Sequence, residues 1–205
     1  MTKVISKFYP TYDRAAQAVR ELETAGVPHK DISIVSNNSD SWYSDKGTTK
    51  RVDRDRDGVD DRAEGAGAGA GIGAGIGGAA GLLAGLGLLA IPGVGPVVAA
   101  GWLVATAAGA AAGGITGGIV GALTQAGVSD EDAQVYAEGL RRGGTLVTAR
   151  VSDADAPRLE AVLDRSSLRT TDIRRSYDKS GWKGFDPAAK PYSADEVRQY
   201  RSTWQ

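Results

Sequence analysis

GAGAGAGIGAGIGGAAGLLAGLGLLAIPGVGPVVAAGWLVATAAGAAAGGITGGIVGALTQAGVS, residues Gly65 to Ser129, contains no charged side chain. Small residues recur every fourth position along both halves of this tract. The first series is Gly65, Gly69, Gly73, Gly77, Gly81 and Gly85, and the second is Gly101, Ala105, Gly109, Gly113, Gly117 and Gly121. Four residues is slightly more than one helical turn, so each series predicts a shallow groove along one helix face. An isolated soluble helix gains nothing from so much glycine, because each one costs about 1 kcal/mol relative to alanine. Close approach of helices, in lipid or in an oligomer core, gives that cost a purpose.

The tract predicts a helical hairpin over residues 65–127. Gly65–Ile91 forms one arm and Val97–Thr124 the other, with Ile91-Pro-Gly-Val-Gly-Pro96 as the turn. Each arm reaches on the order of 40 Å, enough for a bilayer core of about 30 Å. Trp102 falls where an interfacial aromatic would lie on the far side. Leu82–Ile91, Val97–Val104 and Ile115–Leu123 are strongly apolar and favour lipid, whereas Gly65–Ala80 has only Ile72 and Ile76 as apolar bulk and would insert weakly. Two readings stay open: a membrane hairpin, or a shared core in a soluble homo-oligomer. The residues assigned to helix packing are Gly69, Gly73, Gly77, Gly81, Gly85, Gly101, Gly109, Gly113, Gly117 and Gly121.

The flanks read as the two halves of one domain. In residues 1–36, Lys3–Tyr9 predicts a strand, Tyr12–Ala25 an amphipathic helix closed by Gly26 and Pro28, and Asp31–Val35 a second strand. In residues 128–176, a capped helix runs from Ser129 to about Arg142. Thr145–Val151 then predicts a third strand, Asp155–Ser166 a helix and Thr171–Arg175 a fourth strand. Two β-α-β units assemble into an α+β, ferredoxin-like sandwich in which the tract is an insertion. Residues before and after the tract then share one domain, so both ends of any membrane hairpin lie on one side. Residues 177–205 form an aromatic tail with Trp182, Phe185, Tyr192, Tyr200 and Trp204. Ser193 and Glu196 predict a capping box there, opening a short helix to about Arg201.

Residues 37–64 read as a polar linker, and one part of it carries candidate chemistry. Asp53-Arg-Asp55-Arg-Asp57-Gly58-Val59-Asp60-Asp61-Arg-Ala-Glu64 satisfies D-x-D-x-D-G with an acid at the twelfth position. Asp53, Asp55, Asp57, the Val59 carbonyl, Asp61 and Glu64 offer the oxygen ligands that Ca²⁺ requires, and Gly58 permits the sharp turn. Asp60 stands where an EF-hand keeps an apolar residue, and GTTKRV before Asp53 does not resemble an entering helix. The competing reading is a solvated mixed-charge cap in which Arg54, Arg56 and Arg62 balance the acids.

Other classes find little support. The 24 Lys and Arg against 25 Asp and Glu give no global reason to expect nucleic acid. Without cysteine, thiol nucleophiles, disulfides and Cys-based zinc sites are excluded. The lone histidine, His29, has no visible nucleophile partner. The Gly71-Ile-Gly73-Ala-Gly75 run lacks the strand and the Gly-Lys-Ser/Thr of a phosphate loop, so no cofactor or small-molecule substrate is indicated. The opening MTKVISKFYP lacks the apolar core of a secretory signal and predicts that this part stays on the side of synthesis.

KVISKFYPTYDRAAQAVRELETAGVPHKDISIVSN, the central DRDGVDDRAEGAGAGAGIGAGIGGAAGLLAGLGLLAIPGVGPVVAAGWL, and GGTLVTARV with DAPRLEAVLDR together resemble the bacterial general stress protein 17M-like domain proteins with a glycine zipper. The resemblance covers roughly residues 3–176. It implies a bacterial, stress-associated, often membrane-located protein, and it carries no catalytic residues. The expectation is a non-enzymatic structural or interaction protein, self-associating through the hairpin, at the inner membrane with cytoplasmic termini. The alternatives are a cytoplasmic homo-oligomeric scaffold and a calcium-responsive binding module.

Overall fold

The computed structural model describes residues 2–43, 86–106 and 118–204. Five strands and the helices around them build an α+β fold. Strand β1 is Thr2–Tyr9, followed by helix α1, Tyr12–Thr24, a short 3-10 turn His29–Asp31, and β2, Ile32–Asn37. Strands β3, Gly87–Ile91, and β4, Gly95–Gly101, come next, and residues 102–106 are helical. Helices α2, Gly118–Gln125, and α3, Asp130–Arg141, precede β5, Thr145–Ser152. Helices α4, Ala156–Asp164, α5, Thr170–Lys179, and α6, Ala194–Ser202, complete the described elements.

The sheet order is β1-β5-β2-β4-β3, with every neighbouring pair antiparallel. Residues on both sides of the tract therefore share one sheet, since β5 lies between β1 and β2. Both faces are covered. Phe8, Val35, Val97, Ala99 and Leu146 meet α2, α3 and α5 through Ile119, Leu123, Tyr136, Leu140, Ile173 and Tyr177. On the opposite face Ile5, Ile32, Ile34, Val147 and Ala149 meet α1 and α4 through Val19, Leu22, Leu159 and Leu163. Each fully buried leucine of this kind contributes about 1.5–3 kcal/mol. The strict alternation of the two face sets along β5 and β2 pins the strand register.

Local chemistry explains the element ends. The Thr11 hydroxyl accepts from the Arg14 amide at 3.4 Å and caps α1. Gly26, at φ +98°, ends it in the left-handed region. Every residue of β2 is buried, so its polar side chains need internal partners. Ser33 Oγ donates to the Ala100 carbonyl at 2.8 Å, and the Ser36 and Thr145 hydroxyls share a bond of 2.8 Å. Tyr9, fully buried, donates its hydroxyl to the Leu163 carbonyl at 3.1 Å, and burial pushes its pKa far above the ordinary tyrosine value. The predicted capping box is present: Ser193 and Glu196 satisfy one another's backbone amides at the start of α6.

Two expectations are corrected. The helical hairpin does not extend through residues 87–101, which form β3 and β4 and belong to the sheet. Ile91-Pro-Gly-Val94 is a turn, closed by the Val94 amide donating to the Ile91 carbonyl at 3.1 Å, with Pro92 and Gly93 central and Gly93 at φ +74°. Pairing with β2 gives the main chain of β4 a ladder on both sides, which a Gly/Ala/Val stretch gains more from than from a helix of poor propensity. The second correction concerns Thr171–Arg175, which lies in α5 rather than in a strand. Ile173 and Tyr177, four apart, are its buried residues, and Asp172 pairs with both Arg169 and Arg175 at the surface. A single bridge between Leu168 and Phe8 stands where the fourth strand would begin.

Candidate functional site: the free sheet edge and its C-terminal strap

The two outer strands of the sheet differ in how their main-chain groups are treated. On β1 the Phe8 carbonyl accepts from the Leu168 amide at 2.8 Å, and the Ser6 carbonyl accepts from the Tyr136 hydroxyl at 3.1 Å. Lys3 and Lys7 also stand on β1, paired with Glu160 at 2.9 Å and Asp164 at 2.6 Å. Bonded carbonyls and charges together blunt an edge against further strand pairing.

Among the described residues, strand β3 has none of these protections. Its five residues, Gly-Leu-Leu-Ala-Ile, are uncharged, and Leu88 is 51% exposed. The Asn38 amide donates to the Pro96 carbonyl at 2.8 Å, so the main-chain groups of Pro96 face β2. Ala90 lies opposite Pro96 and Leu88 opposite Val98. In an antiparallel ladder both members of such a pair turn their N–H and C=O away from each other. Leu88 and Ala90 thus direct their amides and carbonyls outward, and among the described residues these groups have no partner. Gly87, Leu89 and Ile91 direct theirs toward β4 and the turn that leads into it, where the Ile91 carbonyl takes the Val94 amide.

A strap of C-terminal residues holds the β3–β4 turn in place. A Cβ added at Gly93 would lie 2.7 Å from Pro187 Cα, and one at Gly95 would lie 2.7 Å from Pro191 Cβ. Val197 of α6 is fully buried. Arg201 donates from Nε to the Gly143 carbonyl at 2.6 Å and from Nη2 to the Asn37 carbonyl at 3.0 Å. Trp204 stands edge-on to Phe8 with ring centres 5.5 Å apart.

Beneath the strap lies a buried charge cluster at the end of α3. Glu138 is fully buried and accepts from Arg142 Nε at 2.6 Å. Arg142 stacks on Tyr177 at 4.2 Å and Tyr200 at 4.8 Å, and Arg141 stacks on Tyr192 at 4.3 Å while donating to the Lys190 carbonyl at 3.0 Å. Burial disfavours the Arg142 charge, but the bond to Glu138 and its negative charge outweigh it and raise the arginine above its ordinary value. Tyr192 is pushed up to about 12, by burial first and then by its bond with Tyr200. These groups hold the tail against the end of α3 through an ion pair and stacked rings.

Of the residues assigned to helix packing, Gly101 and Gly121 are described, and the structure does not bring them together. Gly101 ends β4 against the β2 backbone, and Gly121 lies on α2, where an added Cβ would meet nothing within 4 Å. Gly69, Gly73, Gly77, Gly81, Gly85, Gly109, Gly113 and Gly117 lie outside the described residues, as do Asp53, Asp55, Asp57, Val59, Asp61 and Glu64 of the candidate calcium loop. Trp102, expected as an interfacial aromatic, packs within the domain: its indole donates to the Asp31 carbonyl at 3.1 Å, and Arg150 covers its ring at 3.9 Å. Among the described residues no helix is long and apolar enough to cross a membrane, and no cluster of acids and histidine has the makings of a metal site.

Sequence reasoning missed the β3 edge and the Glu138–Arg142 pair. The available signal for the first was a Pro-Gly turn between short runs ending in Leu-Leu-Ala-Ile and beginning with Val-Val. Comparison of the chain with protein-family models, with curated proteins and with solved structures finds no match.

Proposed function

We propose that the chain is a non-enzymatic structural protein that assembles with itself into a homo-oligomeric scaffold. The observation that supports this best is the contrast between the sheet's edges: β1 is capped and charged, while β3 is apolar, uncharged and, among the described residues, unpaired on its outer side. Natural proteins guard edges that are not meant to pair. The β1-β5-β2 order, with α1 and α4 on one face, is taken as a ferredoxin-like core whose fourth strand has shrunk to the Leu168–Phe8 bridge. The resemblance to bacterial general stress proteins adds a stress-associated setting to this reading.

Membrane insertion ranks behind the scaffold, because residues 87–91 and 97–101 would have to lie within its spanning arms and instead belong to strands of the sheet. A calcium-responsive role rests on residues 53–64 alone, outside the described residues. Leu88→Lys tests the scaffold. The side chain is half exposed, so stability should move by no more than about 0.5 kcal/mol. Light scattering should show self-association weakened at least about tenfold, since each contact would bring two ammonium groups together in a desolvated edge. An oligomer mass unchanged from wild type would remove the reading.

A further inference from the structure

We infer that two copies of the chain join through β3, antiparallel and about a two-fold axis that passes through Leu89. This rests on the self-association reading, and it specifies the partner strand and its register. Of the five residues of β3, Leu88 and Ala90 direct main-chain groups outward, and they flank Leu89 symmetrically. An antiparallel pair bonds through residues that exchange both N–H···O=C bonds. Leu88 opposite Ala90 of the second copy, and Ala90 opposite Leu88 of the second copy, satisfies every outward group on both strands. Leu89 then faces Leu89 of the second copy in a non-hydrogen-bonded pair.

Other registers do worse. A shift of one residue sets outward groups against residues whose groups are already committed to β4, and a shift of two leaves half of the outward groups without a partner. Charge points to a second copy as the occupant. Strand β3 carries no charge to repel its own image, while Lys3 and Lys7 would face their images if β1 paired with itself. The result is one continuous sheet through two protomers, an isologous contact that closes after two copies.

The chain has no cysteine, so single-cysteine variants report the register without background. In the inferred pair the two Leu89 Cα atoms stand about 4.5 Å apart, within disulfide reach. Leu88 and Ala90 lie diagonal to their own images, with Cα atoms about 7–8 Å apart and beyond that reach. Under mild oxidation of the full chain, Leu89→Cys should give at least about fivefold more covalent dimer than Leu88→Cys, Ala90→Cys or the exposed control Ser202→Cys. Ala90→Pro is the second variant: it deletes the outward N–H, leaves the bonds to β4 intact, and should weaken association at least about tenfold. Equal cross-linking at all four positions, or undiminished association of Ala90→Pro, overturns the inference. A wild-type chain that stays monomeric in light scattering would instead bring down the scaffold reading itself.

Discussion

Replacing Glu138 with leucine is expected to destabilise the folded chain by about 3–5 kcal/mol, the usual consequence of removing one partner from a buried ion pair. The side chain is 1% exposed and that of Arg142 is 7% exposed, so the guanidinium left behind cannot recover its hydration. Arg142 would keep its stacking on Tyr177 and Tyr200 and its bond to Ser180 at 3.3 Å, but none of these supplies a negative charge. The double variant Glu138→Leu/Arg142→Met removes both charges and should lose markedly less, with a coupling of at least about 1 kcal/mol. Denaturant unfolding followed by tryptophan fluorescence measures both. Limited proteolysis adds a positional readout: in Glu138→Leu the cuts in residues 180–204 should become faster than in wild type, because Arg141 and Arg142 are among the groups that hold the tail. A single variant within about 1 kcal/mol of wild type would show that the pair does not anchor the strap.

That pair was not visible along the chain, and the reason is physical. Ala133, Tyr136 and Leu140 mark the inward stripe of α3 by their spacing, and they are buried as that spacing predicts. Glu138 lies off that stripe. It is buried because Tyr177, Tyr192 and Tyr200 come from distant parts of the chain to cover Arg141 and Arg142 beside it. A local pattern carries no record of such a contact. The tail's aromatics did signal that it docks, and its capping box was legible from Ser193 and Glu196 alone.

The same division runs through the fold. Strands β1, β2 and β5 and helices α1, α3 and α4 all follow from periodicity and end signals, with boundaries shifted by a residue or two. Residues 87–101 did not, because glycine, alanine and leucine at four-residue spacing satisfy a helical stripe while short apolar runs fit strands equally well. Pairing with β2 decided between them, and that is a tertiary fact. In Thr171–Arg175 the error ran the other way. A short run with one isoleucine looked like a strand until Tyr177, four residues on, joined Ile173 on a helix face.

Gly101 and Gly121 separate the structural role of glycine from its spacing. Both belong to the four-residue series, so a packing groove treats them alike. The structure does not. Gly101 adopts φ +97°, and a Cβ there would stand 2.3 Å from the Ile32 carbonyl oxygen and 2.7 Å from Ser33 Cα. Both neighbours are backbone of the central strand β2 and have no room to yield. Gly101→Ala should therefore destabilise by about 2–6 kcal/mol, combining left-handed strain of about 1–3 kcal/mol with overpacking of similar size. Gly121→Ala fills open space on α2 and should be neutral or stabilising by up to about 1 kcal/mol. Thermal unfolding of the two variants side by side reads the difference as opposite shifts in Tm. Equal losses would restore the helix-packing groove as the role of both glycines. A large loss at Gly101 with none at Gly121 assigns the first to the junction of β4 with β2, where the strand that carries the β3 edge is anchored to the core.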